Sequence, residues 1–311
     1  MRSNKKTMLI IISVILIIVA VAAIAIFFNI PWSRAAREFE ATAERLLADA
    51  RLAGADLTGT DLASTDLAIT NPASASTESG VFAEEDIAHL PLPVQKYFRY
   101  CGYIGTPKMS AMKIEFKDVR FSMGPNKPTI KIDYTQYNFV NAINRIAYID
   151  SSMFGIPFEG LDAYIDGKGS MKGMLAKLFT LFNQTGRDMD RAALVTFLSE
   201  SLVIPSAALQ EYISWQAIDD LHAQASISYK GISVSGIFTF DENGALRSFT
   251  TNDRVATGFD GKSAEIRWSA ILADYVERDG IKVPNVLQAI WHYPEGDLLY
   301  FDSKDIDIQY M

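Results

Sequence analysis

The side chains best suited to chemistry in this sequence are carboxylates: Glu200, at the end of an apolar helical segment, and Asp219-Asp220, just after Trp215. Two carboxyl groups in surroundings of unequal polarity can divide the work of acid and base, as a hydrolase requires. The competing reading, and the preferred one, is structural: Glu200 and Asp219 pair with a buried arginine such as Arg254, or cap turns. His89, His222 and His292 are too far apart for metal-ligand spacing. A single cysteine, Cys101, builds neither a zinc cluster nor an intrachain disulfide and reads as a small buried residue. No G-x-S-x-G elbow, P-loop, H-E-x-x-H or dinucleotide fingerprint occurs, and Gly167-Lys168-Gly169 lacks the remaining glycine and its helix. The sequence therefore calls for no cofactor and no metal. Trp215, Trp268, Trp291 and Phe179, with Met171, Met174 and Phe182 beside them in the pattern, are candidates to line an apolar cavity; ordinary core packing is the alternative.

The elements that must position these groups begin outside the soluble part. Residues 8–28 form a run of 21 without a charge, long enough at 1.5 Å per residue to cross roughly 30 Å of hydrocarbon. The run exceeds a secretory signal's apolar region, and Asn29-Ile30-Pro31-Trp32 follows it where a small-residue cleavage site would stand. It reads as an uncleaved membrane anchor over 8–30. Arg2, Lys5 and Lys6 precede it and fit a cytoplasmic N-terminus, which leaves the remainder outside the cytoplasm. Residues 35–52 show Phe39, Ala43, Leu46, Leu47 and Ala50 at helical spacing and read as a stalk helix within a spacer over 31–80. Residues 50–69 hold four five-residue repeats centred on Leu52, Leu57, Leu62 and Leu67, similar to pentapeptide-repeat sequence. A lone coil of such a helix has no stacked neighbours, and a flexible spacer is the alternative.

The folded domain is expected over 81–311. Leu90 to Gly102 reads as a proline-opened short helix, with Pro93 in its first turn and Gly102 as its stop. Strands are expected at 108–121, 129–137, 144–149 and 161–165, followed by a helical interruption over 170–209 with Met174, Leu175, Leu178, Phe179 and Phe182 as one apolar stripe. Alternating segments from Leu221 to Tyr310, joined by turns such as Tyr229-Lys230-Gly231 and Asp279-Gly280, predict an antiparallel meander. The net charge of −8, with no Lys/Arg cluster beyond the first residues, excludes a nucleic-acid surface.

Several segments resemble the DUF6544 (also DUF6920) family of bacterial and archaeal proteins: Leu90-Pro-Leu-Pro-Val-Gln-Lys-Tyr-Phe-Arg-Tyr-Cys-Gly102, Gly105-Thr-Pro107, Gly167-Lys-Gly-Ser-Met171, Leu198-Ser-Glu200 with Pro205, Trp215-Gln-Ala-Ile-Asp-Asp220, Phe238-Thr-Phe-Asp-Glu-Asn-Gly244 and Trp291-His-Tyr-Pro-Glu-Gly296. In place of a tryptophan- and proline-rich stretch before Gly155 this chain has Tyr148-Ile-Asp-Ser-Ser-Met-Phe154. The resemblance implies a domain boundary near residue 85 and brings no established activity. The order of strands, helical insert and meander is also similar to curved half-barrels that carry lipids or lipoproteins. The expectation is a mainly β (α+β) protein whose curved antiparallel sheet holds a helical insert on its concave face. Its leading function is non-enzymatic binding of a lipid or apolar ligand at a membrane. A hydrolase using Glu200 and Asp219, and an envelope scaffold binding a protein partner, are the alternatives.

Overall fold

The computed structural model describes residues 2–29, 33–58, 80–257 and 263–311. Helix α1 (Arg2–Asn29) contains the uncharged run with its apolar side chains exposed, and among the described residues it is long and apolar enough to cross a membrane. Helix α2 (Arg34–Thr58) begins five residues later. Its stripe of Ala35, Phe39, Ala43, Leu46 and Ala50 is buried against Ala111, Phe139, Ile146, Leu161 and Met174 of the sheet described next. The Phe39 ring lies 5.9 Å from that of Tyr137 and 5.8 Å from that of Tyr148. The stripe was legible as helix, but its seat on a sheet was not, because the partner surface comes from five distant strands. Residues 50–58 of the repeat region continue α2, and the rest of that region lies outside the described residues.

The β-rich body opens with two short helices, α3 (Glu84–Ile87) and α4 (Leu92–Cys101). Pro93 sits in the first turn of α4, and Gly102, at φ +78°, ends it in the left-handed conformation that glycine adopts most readily. Val94, Tyr97, Phe98 and Cys101 bury one face, as their spacing predicts. A six-strand meander follows: β1 (Ala111–Ser122), β2 (Thr129–Phe139), β3 (Asn144–Met153), β4 (Ile156–Ile165), β5 (Lys168–Leu175) and β6 (Phe179–Thr185). Helices α5 (Arg187–Glu200) and α6 (Pro205–Ala208) then cross to a second meander. That meander comprises β7 (Ile213–Ala217), β8 (His222–Tyr229), β9 (Ile232–Phe240), β10 (Leu246–Thr251), a small ribbon of β11 (Val255–Thr257) and β12 (Ser263–Glu265), then β13 (Trp268–Arg278), β14 (Ile281–Tyr293) and β15 (Gly296–Tyr310).

Thirteen of the described strands form one open antiparallel sheet in the order β6-β5-β4-β3-β2-β1-β15-β14-β13-β10-β9-β8-β7. The two meanders join where β1 pairs with β15, from Met112 opposite Tyr310 to Phe121 opposite Phe301. The sheet curls enough for turns of opposite halves to meet: Lys230 Nζ lies 2.9 Å from Asp166 Oδ1. Helix α5 fills part of the concave side with Leu194, Val195, Phe197 and Leu198, all fully buried. Gly169 permits this seat, since a Cβ there would stand 2.2 Å from the Met189 carbonyl oxygen, while its amide donates to Asp190 Oδ1 at 2.7 Å.

One expectation is corrected. The helical insert starts at Arg187, and residues 170–185, expected as helix, belong to the β5–β6 hairpin. Leu175, Leu178, Phe179 and Phe182 mimic helical spacing only because a tight turn, with Ala176-Lys177 at its two central positions, falls between the strands. Both turn residues have positive φ (53° and 63°), and Leu178 N–H closes the turn on the Leu175 carbonyl at 3.2 Å. Such turns favour Asn-Gly, so Ala-Lys gives no hairpin signal.

Candidate functional site

Between α5 and the concave face lies a cavity of about 910 Å³. The first meander supplies Phe116, Ile132 and Phe158, and the second supplies Trp268, Leu272, Trp291 and Phe301. Ala270 and Ala289, side by side on paired strands β13 and β14, leave the space that larger residues would fill. Cavities of this size that take ligands are lined mostly by apolar side chains with a few fixed polar groups.

The polar groups are held in one buried cluster. Strand periodicity turns Tyr134, Gln136 and Asn138 of β2 toward α5, and Arg145 reaches them from β3. Arg145 donates from Nη1 to Asp162 Oδ2 at 2.8 Å, from Nη2 to Gln136 Oε1 at 2.8 Å, and to the Tyr134 hydroxyl. That hydroxyl donates to Asp162 Oδ2 at 3.2 Å. Glu200 Oε2 accepts from Gln136 Nε2 and Asn138 Nδ2, each at 2.7 Å, and lies 3.5 Å from Arg145 Nε. Burial alone would push the Arg145 guanidinium down, but Asp162, Tyr134 and Glu200 outweigh it and the net direction is up. Burial drives the Tyr134 phenol well above its ordinary range. A buried cation flanked by two carboxylates with further hydrogen bonds is the arrangement that makes charge tolerable inside a fold.

A second cation stands on the wall. The Arg254 guanidinium carbon sits 4.4 Å over the Trp268 ring and 5.4 Å from that of Trp291, while Nη1 donates to Thr196 Oγ1 at 3.0 Å. Trp268 Nε1 in turn donates to the Tyr300 hydroxyl at 3.1 Å. This stacking fixes both indoles as cavity wall.

The structure brings some of the sequence candidates together and separates others. Glu200, Trp268 and Trp291 line the cavity, as do Met171 and Phe182. Asp219 does not: it lies in the exposed turn before β8, accepting from the Leu221 amide at 2.9 Å and facing His222 Nδ1 at 2.8 Å. Those contacts, the Leu221 amide first and His222 next, hold its carboxyl below the usual range. Glu200 and Asp219 thus form no acid–base pair. The arginine beside Glu200 is Arg145, not Arg254. Trp215 packs on Phe238 at 5.2 Å and donates to the Ala208 carbonyl at 2.9 Å, away from the cavity. Phe179 is on the exposed edge of β6. Cys101 is fully buried, and burial pushes its thiol up to about 12. Among the described residues no group of His, Cys, Asp and Glu is arranged to hold a metal.

Arg145, Asp162, Gln136 and Asn138 were missed by sequence reasoning. The available signal was the alternation that places Ile130, Ile132 and Tyr134 on one face of β2: continued, it carries Gln136 and Asn138 inward.

No curated protein matches the chain. Solved structures of similar fold include a LolA superfamily protein from Nitrosomonas europaea, with a TM-score of 0.37 and 11% identity over 70% of this chain and 93% of that one. A domain from Vibrio parahaemolyticus described as an outer membrane lipoprotein-sorting protein has a TM-score of 0.36 and 10% identity over 65% of this chain and 84% of its own. The family of unknown function DUF6544 matches residues 80–303, and the chain belongs to that family.

Proposed function

We propose that this protein is a membrane-tethered, non-enzymatic module that holds a lipid or other apolar ligand inside its curved sheet, on the extracytoplasmic side of the membrane. The observation that carries the reading is the cavity of about 910 Å³, walled by Phe116, Phe158, Trp268, Trp291 and Phe301 and kept open by Ala270 and Ala289. Such a space suits acyl chains, whose transfer from water gains about 0.8 kcal/mol for each buried CH₂. Helix α1 serves as the single-pass anchor, with Arg2, Lys5 and Lys6 on the cytoplasmic side. The buried cluster favours binding over catalysis, because Glu200 is already engaged by Gln136, Asn138 and Arg145, and Asp162, the other carboxylate on the cavity wall, is engaged by Arg145 and the Tyr134 hydroxyl.

The test uses the full-length chain in lipid vesicles carrying a diazirine-bearing phospholipid. Photocrosslinking is expected on peptides containing Trp268 to Tyr293 of the cavity wall, and Ala289→Trp, which fills the cavity, is expected to abolish that labelling while labelling of α1 persists. Crosslinks confined to α1, in both proteins, would sink the proposal.

A further inference from the structure

We infer that the turn ends of the β3–β4 and β5–β6 hairpins form a second membrane-contacting surface, inserted into the lipid headgroup region beside the outer end of α1. The inference rests on the anchoring of α1 proposed above and adds to it a docked orientation of the whole domain.

The apolar residues at these ends lack the burial that their type normally finds. In the β3–β4 turn Phe154 is 93% exposed, and at the β5–β6 end Leu178, Phe179 and Leu181 are 57%, 66% and 49% exposed. Two strands of a sheet separate their tips by about 10 Å, and Ala176 N–H bonds the Pro157 carbonyl at 2.7 Å, tying one turn to the base of the other. Together they make an apolar prow of the kind that interfacial segments lay into a bilayer.

Two observations identify lipid as the occupant. Lys177, in the β5–β6 turn, donates from Nζ to the Phe28 carbonyl at 3.3 Å. Phe28 is the last residue of the 21-residue apolar run, before Asn29, so its carbonyl marks the edge of the hydrocarbon, and Leu178 and Phe179 next to Lys177 stand at that level. Ala23, Ile24, Phe27 and Phe28 of α1 border the same groove as Ala176, Leu178 and Phe179. The second observation is the chain length available. From Asn29 to Arg34 it can extend at most about 18 Å, and α2 is already seated on the sheet from Ala35 onward. The domain is therefore clamped upstream of residues 59–79 and cannot use them to move away from the bilayer while α2 stays docked. This arrangement sets edge strand β6 between bilayer and cavity, since Phe179 and Leu181 are exposed on it while Phe182 lines the cavity.

The experiment places an environment-sensitive fluorophore on Phe154→Cys, Phe179→Cys, Ile17→Cys within α1, or Glu242→Cys in the exposed β9–β10 turn, each in the full-length chain, with buried Cys101 left in place and native folding checked by circular dichroism. Vesicles of phosphatidylcholine and phosphatidylglycerol carry brominated phosphatidylcholine as quencher. Quenching at 17, 154 and 179, with 242 unquenched, is the expected result. Quenching at 17 alone overturns the docked surface and leaves the anchor standing, whereas loss of quenching at 17 as well overturns the anchor and the docking together. Water-shielded emission at 154 and 179 without quenching assigns those tips to a protein contact and also overturns the inference.

Discussion

At the residue scale, the buried cluster around Arg145 combines high cost with tight constraint. A guanidinium 3% exposed, with Asp162 at 2.8 Å and Glu200 at 3.5 Å, is stable only while both partners remain. Arg145→Met should destabilise the fold by about 3–5 kcal/mol in denaturant titrations, because two carboxylates lose their cation inside the protein. Adding Asp162→Asn and Glu200→Gln to that variant should recover part of the loss, since the three side chains act as a unit. Cys101 makes the opposite case, a reactive residue type rendered inert. With its thiol pushed up to about 12 by burial, it should resist alkylation in the native protein at mildly alkaline pH and react at once in denaturant, which mass spectrometry would read directly. Glu200 was visible from the sequence as a polar residue closing an apolar helix, but its partner Arg145 was not. Nothing in the run Asn144-Arg-Ile-Ala-Tyr148 shows which way the strand faces until its register against β2 is known.

At the element scale, α2 and the β9–β10 turn show how local pattern and tertiary contact divide the work. The stripe of α2 predicted a helix with one apolar face, and burying Phe39 and Leu46 on the sheet contributes about 1.5–3 kcal/mol each. Phe39→Ala should therefore cost about 3 kcal/mol and open residues 34–58 to protease, with the sheet itself intact, as limited proteolysis would report. In the β9–β10 turn, Asp241 accepts from the Asn243 and Ala245 amides at 3.0 and 2.9 Å and from Arg247 at 2.6 Å. Burial would raise its carboxyl, yet the Ala245 amide, Arg247 and the Asn243 amide together hold it below the usual carboxylate range. A carboxyl lowered by folding stabilises the native state above its unfolded value and loses that contribution as pH falls through the folded value. Asp241→Asn should then cost about 1 kcal/mol at neutral pH, given the half-exposed arginine, and the difference should vanish in acid titrations carried below the folded value. The β5–β6 hairpin is where local pattern misled, because its turn residues are atypical and apolar spacing across its tight turn matches that of a helix.

At the scale of the whole molecule, edge strand β6 carries both a cavity-lining residue, Phe182, and the exposed Phe179 and Leu181, so the two proposed surfaces meet on one strand. A ligand that fills the cavity binds the folded state alone and should raise its stability, by about 2.7 kcal/mol at a concentration one hundred times its dissociation constant. Long-chain phospholipid added to delipidated wild type should therefore raise the thermal midpoint, and Ala289→Trp should show no such rise. A curled sheet that leaves a space on its concave side is a collective property. Thirteen strands twisting in one sense, with α5 and α6 crossing between the edges, enclose a volume that no single strand defines.

By itself the sequence determined the uncharged 21-residue run, the antiparallel succession of strands with short turns, and a family membership covering 80–303. These depend on side-chain type and near-neighbour spacing, which a linear chain already carries. The tertiary structure alone decided that Glu200 meets Arg145, that Asp219 stays in a surface turn, that α2 docks on the sheet, and that Trp268 and Trp291 face a cavity while Trp215 does not. Each of those outcomes joins residues far apart in the chain, and strand register and sheet curvature set such distances, whereas local periodicity does not.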